Sequence, residues 1–348
     1  MDSLSQVVLG AAVGELVLGR KIGNRAQLIG AIAGTIPDLD ILSSPFIHDD
    51  LVKLTIHRAY SHSMFTHILL AIPLAWLTWR IYKRRIAFGE WYTLWFLGLF
   101  THALLDCCTT YGTQLFLPFT NYLVGFDNIS VLDPFWTVPF MLCLVVALFM
   151  KRESKRRRNW ALAGVAWAGG YMLYTLANKY TAYNHFEHEL VRQEIRFEHL
   201  DTSPAMLNNW LWAGVAWTTD SIYVGEYSVL QSTDEVKWVA YPVNGNILTS
   251  HPARDQLETL EWFSQGKYFI QEKNSALDFY IAKWGRMDFS QTEADKAFVF
   301  HYHLQQEDGH WTCKAIQPEF GPGEFSKAWN QLWSRVMRAP SEPAAVLH

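Results

Sequence analysis

The chain has 348 residues, enough for two domains; half of them are hydrophobic and 18% are charged. Its net charge of −4 hides an asymmetry, because residues 1–178 carry 15 Lys and Arg against 11 Asp and Glu while the remainder carries 14 against 22. Four cysteines, three of them in apolar stretches, exclude a disulfide framework or a CxxC zinc knuckle, and the opening Met1-Asp2-Ser3-Leu4-Ser5 lacks the basic region of a signal peptide, so it reads as mature chain.

Leu4–Leu18 and Ala26–Ile36, the latter running into Ile41, are rich in Gly and Ala. Small residues let helices approach closely in lipid, so both are predicted to be short helices inside a bundle. Four longer apolar stretches follow, Met64–Tyr82, Trp91–Cys107, Phe135–Met150 and Trp160–Ala177, each near the length that crosses about 30 Å of hydrocarbon. Every second loop is basic: Arg20, Lys21 and Arg25, then Lys83, Arg84 and Arg85, then Lys151 through Arg158. Positive loops stay in the cytoplasm, which places both termini, the 37–63 loop and the 108–134 loop outside.

From Lys179 the chain turns acidic and is punctuated by turn signals at Thr218-Thr219-Asp220, Asn244-Gly245-Asn246 and Asp308-Gly309. Tyr183–Glu198 suggests an amphipathic helix, and Ser221–Leu230, Val236–Val243, Phe279–Trp284 and Ala297–Leu304 favour strands. A last helix is expected over Ser326–Met337, with a loose tail at Ala339-Pro340-Ser341-Glu342-Pro343. The expected fold is an α-helical polytopic membrane bundle of about six helices, two of them short, over residues 1–178, followed by a soluble extracytoplasmic α+β domain over residues 179–348.

Three runs place His and Asp at the edges of apolar segments, where charge is expensive. Asp38 and Asp40 end the second segment, His57, Arg58 and His62 precede the third, and His102 and Asp106 close the fourth. In the expected topology all lie toward the outer face, as a single site requires. His102 and Asp106 are four apart on a predicted helix and share one of its faces, a spacing that suits a common ion. Imidazoles and carboxylates gathered in this way suggest a divalent metal, zinc first, with manganese or iron as alternatives. His67, inside the third segment, ranks below His62 as a ligand. Asp49 and Asp50 read as ordinary surface acids.

The opening Met1-Asp2-Ser3-Leu4-Ser5-Gln6 with Gly10-Ala11-Ala12, the Ile36-Pro37-Asp38-Leu39-Asp40 element, the His57-Arg58-Ala59-Tyr60-Ser61-His62-Ser63 run, the His102 to Asp106 helix and Thr110-Tyr111-Gly112 together resemble the YdjM-like family. That family is described as membrane-bound, metal-dependent hydrolases of the bacterial inner membrane, and also as LexA-binding. The resemblance covers about the first 150 residues and implies a metal site, carried here onto Asp38, Asp40, His57, His62, His102 and Asp106. Many relatives have His where this chain has Gln6, which alters one position if that His is a ligand.

The chemistry this reading implies is attack by metal-activated water on an anionic phosphoester or lipid-linked substrate. Asp38 or Asp40 would hold or deprotonate the water and Arg58 would stabilise substrate charge. A non-enzymatic metal-binding scaffold or transporter is the alternative, in which protein fills every coordination position. No His-Glu-x-x-His occurs, which counts against a zincin-type intramembrane protease. The Lys151–Arg158 run reads as a positive-inside anchor, so the expected partner is the lipid bilayer and no nucleic acid is expected.

Overall fold

The computed structural model describes residues 1–231, 235–273, 276–286, 294–298, 300–307, 309–316 and 324–337. Asp308 and the Ala339–Pro343 tail lie outside the described residues. The chain divides into two units, one formed by Met1–His48 with Thr55–Thr175 and the other by Asp49–Leu54 with Leu176–His348.

The first unit is helical. Helix α1, Ser3–Ile22, starts where the Asp2 carboxylate takes the Ser5 backbone N–H and runs past the expected Leu18, through Arg20 and Lys21, to a turn at Gly23 with φ of +61°. Helix α2, Asn24–Thr35, packs back on it along a seam of glycines. A Cβ at Gly14 would lie 2.0 Å from the Ala26 carbonyl oxygen, one at Gly30 2.2 Å from that of Gly10, and one at Gly34 2.4 Å from that of Gln6. The two backbones are therefore in direct contact, which only glycine permits.

After α2 the chain tightens into a 3-10 helix, Ile36–Phe46, and then forms α3, Asp50–Ile56, and one 3-10 turn, Tyr60–His62. Helix α4, Met64–Ile81, is capped by the Ser63 hydroxyl; α5 is Phe88–Cys107, α6 is Pro134–Leu148 and α7 is Lys155–Arg192. Buried Trp91, Leu94, Trp95 and Leu99 of α5 pack with Ala71 and Ala75 of α4 and with Leu18, Ala26 and Ala33. Among the described residues only α4 is long and apolar enough to cross a membrane, and α6 is apolar but shorter. The first unit is thus a helical region with one clear span candidate by length and composition. Trp91, Tyr92, Trp95 and His102 dilute the apolar character of α5, and α6 has 15 residues.

The second unit carries two antiparallel meanders. One comprises β1, His199–Pro204, β2, Leu211–Trp217, β3, Ser221–Ser228, and β4, Val239–Pro242. Helices α8, Asn246–Ser250, and α9, Arg254–Ser264, precede the other, which comprises β5, Tyr268–Lys273, β6, Ala276–Ile281, β7, Phe300–Glu307, and β8, His310–Ile316. Residues Ala294–Ala297, α10, form a helical turn where a strand was expected to begin, and α11, Glu324–Met337, is the last helix. The helix expected at Tyr183–Glu198 is the end of the 38-residue α7, because no Gly or Pro interrupts Ala177-Asn178-Lys179. Asp50, read as a surface acid, accepts the backbone N–H of Ala315.

Glu189 closes α7 from inside the second unit. Its carboxylate accepts from the Arg192 guanidinium at 2.7 and 2.8 Å, from Gln193 and from the backbone N–H of Val236, and its side chain is fully buried. The Arg192 hydrogen bonds, with those of Val236 and Gln193, outweigh burial and hold the carboxyl down at about 2. A carboxyl depressed on folding stabilises above its unfolded pKa, near 4.5, and that contribution is lost as pH falls toward about 2. Glu189→Ala should cost about 1–3 kcal/mol, since it leaves buried donors unpaired. Amide exchange at Val236 should accelerate in the variant at neutral pH, and the gap between variant and wild type should narrow as pH falls through that window; equal exchange at neutral pH would refute the assignment.

Candidate metal centre

Four groups converge in the first unit. The 3-10 helix supplies Asp38, the Tyr60–His62 turn supplies His62, and α5 supplies His102 and Asp106 one turn apart. One ligand atom from each lies within 4.8 Å of all the others. His62 Nε2 is 3.1 Å from His102 Nε2, 3.1 Å from Asp106 Oδ2 and 3.5 Å from Asp38 Oδ1; His102 Nε2 is 3.3 Å from Asp38 Oδ1. The side chains of His62, His102 and Asp106 are fully buried, and that of Asp38 is 20% exposed, so the group is reached from the Asp38 side.

Hydrogen bonding fixes the tautomers. His102 Nδ1 lies 2.6 Å from the Gly34 carbonyl oxygen, which only accepts, so Nδ1 carries the proton and Nε2 presents its lone pair. The Ser61 hydroxyl donates to Asp40 Oδ2 at 2.9 Å, so its oxygen accepts from His62 Nδ1, also at 2.9 Å, and again Nε2 is left bare. Two imidazole lone pairs and two carboxylate oxygens thus face one another with no proton of their own to share. Asp106 Oδ2 is buried without a hydrogen-bond partner. A cation would resolve this arrangement, and two nitrogens with two oxygens form a donor set that could hold a divalent ion.

The remaining residues act around that group. Asp40 and His57 fall outside it: His57 Nδ1 is 3.3 Å from Asp40 Oδ1, and Asp40 Oδ2 also accepts the Arg58 backbone N–H at 3.0 Å. Both aspartates lie beyond the end of α2. Burial pushes the Asp40 carboxyl up, but His57 and the Arg58 N–H outweigh it and hold it below the usual carboxylate range.

Arg58 is itself buried, with a left-handed φ of 57°. Its Nε is 3.3 Å from Asp106 Oδ2, its Nη1 donates to Thr109 Oγ1 at 3.0 Å, and its guanidinium lies 4.9 Å from the centre of the Tyr111 ring. That geometry turns the guanidinium toward Asp106, where the sequence suggested a receptor for substrate charge. His67 also stands apart, with Nε2 2.8 Å from the Ser61 carbonyl oxygen, and so props the turn that carries His62. Gln6 donates from Nε2 to Asp106 Oδ1 at 2.9 Å and to the His102 carbonyl oxygen at 3.2 Å, and the α-amino group of Met1 also contacts Asp106.

Thr109 and the Gly34 carbonyl were not legible as contributors, and Ser61 and Tyr111 were visible only as members of their motifs. Their roles depend on which backbone atoms tertiary folding brings within reach, although Ser61 stands inside the His57–Ser63 run. Ser61→Ala should remove the hydroxyl that joins Asp40 to the His62 ring and weaken metal retention by about 10- to 100-fold with the fold intact. Competition with a chromogenic chelator measures it, and unchanged affinity would remove Ser61 from the centre.

A family model described as YdjM inner membrane protein matches residues 1–182, more than half of the chain. A curated relative in Bacillus subtilis (strain 168), the uncharacterized protein YfhP, is 25% identical over 154 residues, which is 42% of this chain and 46% of the relative. The chain spans about half the length of that relative. No solved structure matches it.

Proposed function

This chain belongs to the YdjM inner membrane protein family, and from that premise we propose that it is a membrane-bound, metal-dependent hydrolase whose ion is held by Asp38, His62, His102 and Asp106. The observation that carries the reading is a buried set of proton-free donors with one accessible edge, at Asp38. A divalent ion, zinc first, would supply a Lewis acid that lowers the pKa of water and offsets negative charge on an ester.

The chain's own residues divide the remaining work. Asp38 holds one oxygen in the group, and its other oxygen takes the proton of the attacking water. Asp40 orients His62 through Ser61, while Arg58 and Gln6 hold the Asp106 carboxylate in place. The substrate class we favour is a lipid or lipid-linked phosphoester. Support comes from the 3-10 helix bearing Asp38, where Ile41, Leu42 and Phe46 are 60, 64 and 84% exposed. In this reading residues 1–178 sit in the inner membrane with several helices inserted, the site opens at the outer face, and residues 179–348 are extracytoplasmic.

A second reading is a structural ion that ties the 3-10 helix, the Tyr60–His62 turn and α5 together, favoured by the complete burial of three of the four side chains. Turnover separates the two. Protein purified in detergent without chelators should contain metal and hydrolyse a member of a phospholipid and phosphoester panel, and Asp38→Asn should lower turnover by about 10²- to 10⁴-fold. Metal bound stoichiometrically with no hydrolysis across the panel would favour the structural ion, and no metal after repletion would end both readings. Arg58→Lys should lose metal along with activity, because a lysine keeps the charge but not the fork that spans Asp106 and Thr109.

A further inference from the structure

Away from the metal centre, at the other end of α1, a second polar site is built into the first unit. Arg157 is 2% exposed and grips Glu15 with both arms of its guanidinium, each at 2.6 Å, while its Nη1 also donates to Asn24 and to the Met150 carbonyl oxygen. Gln27 adds a third donor to Glu15 at 3.0 Å. Three of the roughly four lone-pair directions of that acid are thereby occupied. Beside it opens a cavity of about 200 Å³ lined by Leu16, Val17, Arg20, Lys21, Arg152 and Arg158, together with Glu15 and Ala161.

The charge of the lining is one-sided. Glu15 is neutralised by Arg157, Lys21 reaches Glu90, and Arg152 reaches Glu153 and the Lys21 carbonyl oxygen, which fixes the rim of the cavity. Arg20 and Arg158 bring two further exposed cations to the same opening. Leu16, 42% exposed, and Val17 continue from the cations along α1 as an apolar strip. Cations at a helix end above an exposed apolar strip match a phosphate headgroup above an acyl chain.

We propose that this cavity is a binding site for an anionic phospholipid of the leaflet that faces the Arg20–Arg25 turn, with its phosphate held by Arg20 and Arg158 and its acyl chain along Leu16. The site is separate from the metal centre and takes a lipid as a bound component of the folded unit.

Native mass spectrometry of the full chain in detergent, with dioleoylphosphatidylglycerol or dioleoylphosphatidylcholine added, tests the assignment. Wild type should retain the glycerol lipid in preference to the choline lipid, and Arg20→Gln with Arg158→Gln should lower that retention about tenfold or more. Arg25→Gln with Lys151→Gln removes the same charge outside the cavity and should leave retention unchanged. Leu16→Trp, which crowds the cavity at constant charge, should lower it, so the result does not rest on one variant's folding. Equal loss in the control pair would reduce the effect to diffuse surface charge and overturn the site. Equal retention of the two lipids, or displacement of the lipid by inorganic phosphate at equimolar concentration, would overturn the lipid assignment.

Discussion

Replacing His102 by alanine is expected to strip the metal from the purified protein, with affinity reduced by more than about 100-fold, because the loss of a ligand exceeds the 10- to 100-fold typical of its outer hydrogen-bond partners. His102 Nε2 faces both Asp38 Oδ1, at 3.3 Å, and His62 Nε2, at 3.1 Å, and its Nδ1 is anchored on Gly34. The variant should keep its helices, because α5 is buried through Trp91, Leu94, Trp95 and Leu99 independently of this ring. Elemental analysis by mass spectrometry, with circular dichroism in the same detergent, gives both readouts. Full metal content in a folded His102→Ala protein would place the ion elsewhere.

Gly30→Ala should be among the most damaging single methyls in the helical unit, at about 3 kcal/mol, the upper end of overpacking costs. The new Cβ would stand 2.2 Å from the Gly10 carbonyl oxygen and 2.8 Å from both the N and Cα of Gly14, so no rotamer change relieves it. Helices α1 and α2 must part. Because Gln6 rides on α1 and Gly34 on α2, the same movement should loosen Asp106 and His102 and reduce metal retention. Gly89→Ala is the control, since nothing lies within 4 Å of a Cβ there. Thermal unfolding in detergent should show a large drop for the first variant and none for the second; equal midpoints would mean the seam yields more easily than its backbone contacts imply.

How far the sequence could be read depended on whether a feature is local. The spacing of His102 and Asp106 is a property of one helix turn, so their common face is visible from residue numbers alone. The separation of His57 from His62 is not, because Arg58 adopts a left-handed φ and the following turn re-aims everything after it. Arg58 itself reads as a free charge in sequence and becomes a neighbour of Asp106 only when α5 is packed against the turn. In the second unit, strands β3, β4, β6 and β7 overlap stretches rich in aromatic and β-branched residues. Leu211–Trp217 does not alternate: six of its seven residues are buried in succession, a pattern that a sequence cannot distinguish from a buried helix segment.

The pitch of the segment that carries Asp38 and Asp40 sets how many carboxylates the group receives. Had this pair stood on a β-strand, residues two apart would point the same way and both carboxylates would be available to bridge a pair of ions. A 3-10 helix advances about 120° per residue, so side chains two apart diverge by about 120°. Asp38 accordingly enters the group while Asp40 turns to Ser61, His57 and the Arg58 amide. The winding of eleven residues, Ile36–Phe46, thereby splits an Asp-x-Asp motif into one carboxylate that enters the group and one that reaches its histidine through Ser61.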